Sequence, residues 1–155
     1  MLLSTRFSLS ELAPSQPARE YKRSLLLDGS PTKRLVYGDS ISAQYACGSV
    51  YLVVTHYDHY DAVSHWFYVL GATARVLDQA STPDYFGYLQ HITIEGSNEI
   101  AFGFYGTNDR WHAIVREAGV WSFAWPNLQL RMNRFLLSKR HVLLTCHQGA
   151  PLAKA

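Results

Sequence analysis

From His91 to Trp125 the chain reads HITIEGSNEIAFGFYGTNDRWHAIVREAGVWSFAW, four short apolar runs separated by three turn signals. Ile92 and Ile94 alternate with Thr93 and Glu95, and Ile100, Phe102 and Phe104 alternate with Ala101 and Gly103. Trp111, Ala113 and Val115 alternate with His112, Ile114 and Arg116, and Trp121, Phe123 and Trp125 again fall on every second position. Successive side chains of a strand point to opposite faces, so each run offers one heavy face to a core. A helix needs apolar spacings of three and four, which these runs lack. The separators are Gly96-Ser97-Asn98, Gly106-Thr107-Asn108-Asp109 and Glu117-Ala118-Gly119. They supply residues that tolerate positive φ, as tight hairpins require. The stretch predicts four strands joined by three hairpins, in an all-β antiparallel fold.

The same grammar runs upstream. Apolar runs at Leu25-Leu26-Leu27, Lys33 to Tyr37, Ile41 to Ala46, Val50 to Thr55, His65 to Leu70 and Thr73 to Gln79 are broken by Gly-, Asp- and Ser-rich turns. Residues 1–22, with Pro14 and Pro17, read as an irregular arm with a short helical turn near Ser8 to Leu12. Residues 23–148 form a single all-β domain, and 149–155 a loose tail. Residues 127–139 read as strand, the alternative being a helix capped by Asn127 and ended by Lys139 and Arg140. Tyr51 to Gln79 and Ile100 to Trp125 both run strand, loop, strand, Gly turn, strand. The antiparallel meander is therefore expected to be propeller-like, or closed as a barrel or sandwich.

A chain of 155 residues can bury one substantial core, and 48% apolar against 17% charged residues excludes a disordered class. A net charge of +2 is too small to mark a nucleic-acid surface, so no nucleic-acid partner is expected. No apolar run approaches the roughly 18 residues of a membrane-spanning helix. The opening MLLSTRFSLSELAPSQPARE is a poor signal peptide, since Arg6 interrupts a short apolar part. The expected location is cytoplasmic as the sequence stands, or periplasmic if a leader has been removed. Cys47 and Cys146 allow either one disulfide or two buried thiols.

Consecutive hairpins place successive connections at alternate ends of a sheet. The short ones, at Gly71, Gly96-Ser97 and Glu117 to Gly119, then share one end. The longer ones, at His56 to Ser64, Ala80 to Phe86, Gly106 to Arg110 and Pro126, share the other. Rigid sheets that carry polar, aromatic loops are a common platform for recognition. Tyr and Trp reach 10 and 4 copies and serve both as core and as interface anchors.

The run Thr55-His56-Tyr57-Asp58-His59-Tyr60-Asp61, with His65 nearby, ends a strand in a His/Asp cluster of the kind that holds a divalent metal. It resembles the metallo-β-lactamase ligand motif only at Thr55 and His56. Asp58 stands where that motif has His, Tyr60 where it has Asp, and Asp61 where it has His. Hydrogen-bonding loop residues are the reading adopted, with no metal expected. A metal-dependent hydrolase on His56, Asp58, His59 and Asp61 is a minor alternative. Cys146 adjoins His147, but strand neighbours face opposite ways, and Cys47 has no helix N-terminus to activate it. No Ser-His-Asp spacing, phosphate loop or dinucleotide fingerprint stands out. Hence no catalytic residue and no cofactor is expected. The basic pairs at Lys33-Arg34, Arg131 and Arg134, and Lys139-Arg140 read as exposed turn charges.

A small all-β chain with aromatic, polar loops and no catalytic signature resembles the bacterial immunity proteins that neutralise a secreted toxin or effector enzyme. That resemblance implies a protein partner, the cognate enzyme, whose active site is blocked by loops. His56, Asp58, Tyr60, Asp61, Asp84, Tyr85, Asn108, Asp109 and Arg110 would insert or clamp. The Ser97 and Asn98 hairpin tip is a second plug. The competing expectation is a lipocalin-like barrel for a small apolar ligand, although that family's Gly-x-Trp signature is missing.

Overall fold

The computed structural model describes residues 1–11, 21–82, 87–122 and 138–147. The strands are β1 (Leu2–Leu3), β2 (Phe7–Leu9), β3 (Lys22–Leu27), β4 (Ser30–Tyr37), β5 (Ser40–Cys47), β6 (Val50–Asp58), β7 (Val63–Gly71), β8 (Val76–Ser81), β9 (Leu89–Ile94), β10 (Glu99–Phe104), β11 (Arg110–Ser122) and β12 (Ser138–His147). Every pairing is antiparallel, and no helix occurs among the described residues. Three sheets result, ordered β1-β5-β6-β7-β8, β12-β11-β10-β9 and β2-β3-β4.

Among the described residues none of the sheets closes on itself. The five-stranded sheet lies in the middle, the four-stranded sheet covers one of its faces and the three-stranded sheet the other. The all-β antiparallel expectation holds in its sandwich form, whereas the barrel and propeller versions do not. The reason is legible in β6 and β7. Leu52, Val54, Phe67 and Val69 pack against Ile100, Phe102, Phe104, Trp111, Ala113, Val115, Val142 and Leu144. The intervening Val53, Tyr68 and Leu70 pack against Phe7, Leu25 and Val36. A strand with two apolar faces must be covered twice, so VYLVV and WFYVLG can only be central. Each large side chain so buried contributes about 1.5–3 kcal/mol.

Polar contacts fix the third layer. The buried Tyr68 hydroxyl accepts the Tyr37 N–H at 2.8 Å, and Thr55 Oγ1 donates to the Tyr37 carbonyl at 2.6 Å. Burial pushes the Tyr68 phenol well above its ordinary range. The Gln44 amide exchanges two 2.9 Å bonds with the Phe7 backbone. The irregular arm expected at residues 1–22 is therefore corrected in part. β1 pairs with β5, β2 pairs with β3, and Phe7 is a core residue. Alternation of Phe7 and Leu9 about Ser8 makes this strand rather than a helical turn. Pro14 and Pro17 lie outside the described residues.

A second correction concerns Glu117-Ala118-Gly119. It is not a hairpin but a bulge inside β11. Val115 pairs with Val142 and Val120 with Arg140, so residues 116–119 stand opposite His141 alone. Gly119 takes φ +62°, and the His141 ring fills the bulge with Nδ1 3.0 Å from the Arg116 carbonyl. Glu117 is thrown outward onto the Gly48-Ser49 turn, where Oε2 accepts the Ser49 N–H at 3.0 Å and its hydroxyl at 2.9 Å. A glycine after two non-β residues signals a turn or a bulge alike, and the long partner β12 decides for the bulge. The supposed repeat of Tyr51 to Gln79 in Ile100 to Trp125 fails with it. Phe123 to Pro126 and residues 127–137 lie outside the described residues.

A methyl group at Gly119 would sit 2.7 Å from His141 Nε2 and 2.8 Å from Lys139 Cγ, on a backbone that L residues avoid. Gly119→Ala is expected to destabilise the fold by about 1–1.5 kcal/mol. Urea unfolding midpoints measure this, and an unchanged midpoint would contradict the bulge geometry.

Candidate functional site

Connections collect at the two ends of the sandwich. One end carries Gly38-Asp39, residues 59–62, Thr82, Gly87-Tyr88 and residues 105–109, and the opposite end carries Asp28-Gly29, Gly48-Ser49, residues 72–75 and 95–98. The first end is knitted together. Asp39 N–H donates to the His56 carbonyl at 2.9 Å, and Tyr105 N–H donates to the Tyr88 carbonyl at 2.9 Å. The Tyr88 hydroxyl donates to Asp58 Oδ2. Gly87 lies so close to Tyr105 that a Cβ there would be 2.5 Å from its carbonyl oxygen. Bare backbone at this point lets Gly87 rest on Tyr105 at the start of the β10–β11 turn.

Strand alternation divides the His/Asp run between two layers. His56 faces the four-stranded sheet, its ring 5.6 Å from Tyr88 and 6.1 Å from His65, with Nδ1 2.7 Å from Ser42 Oγ. Tyr57 and His59 face the other way, against Tyr21 at 4.1 and 5.2 Å, and His59 Nε2 lies 2.6 Å from Ser64 Oγ. His56, Asp58, His59 and Asp61 therefore do not converge as the hydrolase alternative requires. Ser42–His56 and Ser64–His59 are serine–histidine pairs, but no carboxylate is hydrogen-bonded to either ring among the described residues, and Ser64 is buried. Catalytic serine chemistry needs an oriented base and an accessible nucleophile. Among the described residues the donors that come together are Glu95, Glu99 and His112, within 4.8 Å of one another on the outer face of the four-stranded sheet.

His65, beneath the rim, has no exposed surface. Its Nε2 lies 2.9 Å from the Gly87 carbonyl, which assigns the proton to that nitrogen, and its Nδ1 has no hydrogen-bond partner. Burial pushes its pKa down to about 4, so the ring is neutral.

Above it opens a depression of about 340 Å³, lined by Asp58, Tyr60, Asp61, Ala62, Val63, Gly87, Tyr88 and Tyr105. Tyr60 is 102% exposed, Tyr105 72% and Tyr88 48%. Tyr60 is held at φ +81°, its N–H donating to Asp58 Oδ1 at 2.8 Å. A non-glycine residue in that region stores about 1 kcal/mol or more of strain. The Tyr88 hydroxyl, and then the Tyr60 N–H, holds the Asp58 carboxyl below the usual carboxylate range, and the same contact raises the Tyr88 phenol. Neither Asp58 nor Asp61 makes an ion pair among the described residues.

Of the residues predicted for the site, Asp58, Tyr60 and Asp61 line this depression, and His56 supports it from within. Asn108 is exposed and Asp109 half-buried in the β10–β11 connection. Arg110 is turned away along the outer sheet face, with Nη2 2.8 Å from Glu95 Oε1 and 2.9 Å from Thr93 Oγ1. Ser97 and Asn98 lie at the opposite end, tied down. The Ser97 carbonyl accepts the Met1 nitrogen at 2.6 Å, and Asn98 Nδ2 donates to the Val115 carbonyl at 3.0 Å. Asp84 and Tyr85 lie outside the described residues. Sequence reasoning missed Gly87, Tyr88 and Tyr105. Their signal was a tyrosine beside a glycine at a strand end, where a large ring has no strand face to pack on. Cys47 and Cys146 are both free thiols, and burial raises their pKa values. Compared with protein-family models, with curated proteins and with solved structures, the chain matches none.

Proposed function

We propose that this chain is a protein-binding inhibitor of the immunity type, which blocks the active site of a cognate bacterial toxin or effector enzyme with its loop rim. The observation that carries the reading is the group of three exposed tyrosines, Tyr60, Tyr88 and Tyr105, around one depression. Large rings left in water are unfavourable in a free surface, and tyrosine anchors are what protein interfaces bury. The rim stands on a packed sandwich, so little ordering entropy is lost on docking. Asp58 and Asp61 give it negative charge, which suits a basic cleft.

The test is site-specific photo-crosslinking in the native host, with benzoylphenylalanine at Tyr60 or Tyr105 and, as control, at exposed Leu35 of β4. The expected result is one enzyme captured from both rim positions and not from Leu35, whose activity the purified chain inhibits at equimolar ratio. Tyr60→Ala should then weaken inhibition about tenfold. Capture of the same proteins from Leu35, or an enzyme whose activity is unaffected, would overturn the reading.

A further inference from the structure

We propose that the depression at the rim is a receptor for one arginine side chain of the protein partner. This deepens the protein-binding reading and rests on it. Three features coincide there. The first is charge: Asp58 and Asp61 both line the depression, and among the described residues neither has a basic neighbour paired to it and no lysine or arginine lines it. This is an acidic spot on a chain whose net charge is +2. The second is aromatic surface: Tyr60, Tyr88 and Tyr105 surround the carboxylates with exposed rings. A cation over a tyrosine face is attracted by the ring quadrupole. The third is shape: about 340 Å³ open to solvent admits a side chain end-on.

These features select arginine over lysine. A guanidinium is planar, stacks flat on tyrosine, is less strongly hydrated than an ammonium and presents a fork that matches a carboxylate. Asp58 spends one bond on the Tyr60 N–H at Oδ1 and one on the Tyr88 hydroxyl at Oδ2. Each oxygen keeps a second lone pair for an incoming donor. Those two bonds hold the carboxylate in place before a ligand arrives.

The test uses the full chain, ¹⁵N-labelled, titrated with the capped tripeptide acetyl-Gly-Arg-Gly-amide and followed by amide chemical shifts. The same peptide with lysine, and with neutral citrulline, serves as comparison. The expected result is saturable shifts confined to residues 58–63, 87–88 and 105. Binding should be about tenfold weaker for citrulline and clearly weaker for lysine. It should be lost in Asp58→Asn with Asp61→Asn, whose remaining spectrum shows the fold intact. Equal binding of the citrulline or lysine peptide would overturn the assignment, as would shifts centred on Glu95 and Glu99. No partner enters this measurement. A failure here with rim crosslinking intact removes the arginine receptor alone, whereas lost crosslinking removes the docking surface itself.

Discussion

Replacing Asp78 by alanine is expected to lower the stability of the fold by about 3–5 kcal/mol. Asp78 lies on β8, the edge strand of the central sheet, and is 7% exposed. Its Oδ2 accepts the N–H groups of His141 at 2.7 Å and Val142 at 2.9 Å, both on β12, the edge strand of the covering sheet. Its Oδ1 accepts the Gln79 N–H at 2.9 Å. One carboxylate thus joins two sheets at their common border. Alanine would remove the carboxylate that accepts two buried N–H groups, those of His141 and Val142, and with it charge-assisted bonds, each costing about 1–3 kcal/mol. Asp78→Asn keeps an acceptor oxygen and should lose about half as much. Urea unfolding measures both. An alanine variant within 1 kcal/mol of the parent, taken as roughly the floor for one lost buried bond, would contradict this account of how the layers are held.

Stability should also fall as pH drops from 7 to 5, because of His65. In the unfolded chain its imidazole titrates near the ordinary 6.5, and in the fold near 4. Between those values the unfolded chain binds the proton and the folded chain does not. His65 therefore contributes in full above pH 6.5, and its contribution is lost as pH falls through that window toward 4. The loss amounts to about 2 kcal/mol between pH 7 and pH 5. Asp28, Asp58, Glu95 and Glu117 all have lowered pKa values, so they act only at lower pH. His65→Gln keeps a donor for the Gly87 carbonyl and removes the titration. Its unfolding free energy, read from denaturant curves, should change about 2 kcal/mol less over the same interval. Identical pH profiles for the two proteins would contradict a neutral, buried His65.

Much of this was legible in the residues. Alternation placed Ile100, Phe102, Phe104, Trp111, Ala113 and Val115 in the core, where each is at most 2% exposed. It also carried the division of His56 and Asp58 from His59, although that division was not drawn from it. The layer count was legible only in retrospect, from the doubly apolar β6 and β7. Glu117-Ala118-Gly119 misled because a bulge and a turn share their chemistry, and only the distant β12 chooses between them. Phe7 was hidden by its setting: three residues of strand near a proline-bearing stretch give periodicity too little length. For the site, Asp58, Tyr60 and Asp61 stood out as a polar loop. Tyr88 and Tyr105 come together through the Gly87 contact, which joins residues far apart in the chain and leaves no local signature.

The claim on which function depends is that the loop end of the sandwich, and not a sheet face or edge, meets the partner. Amide hydrogen exchange on the complex with the crosslinked enzyme tests it most directly. The expected footprint is slowed exchange at residues 58–63, 87–88 and 105–108, with the outer face of β10 and β11 unchanged. Protection centred on Glu99, His112 and Ile114, or along β4, with the rim exchanging as in the free chain, would contradict it.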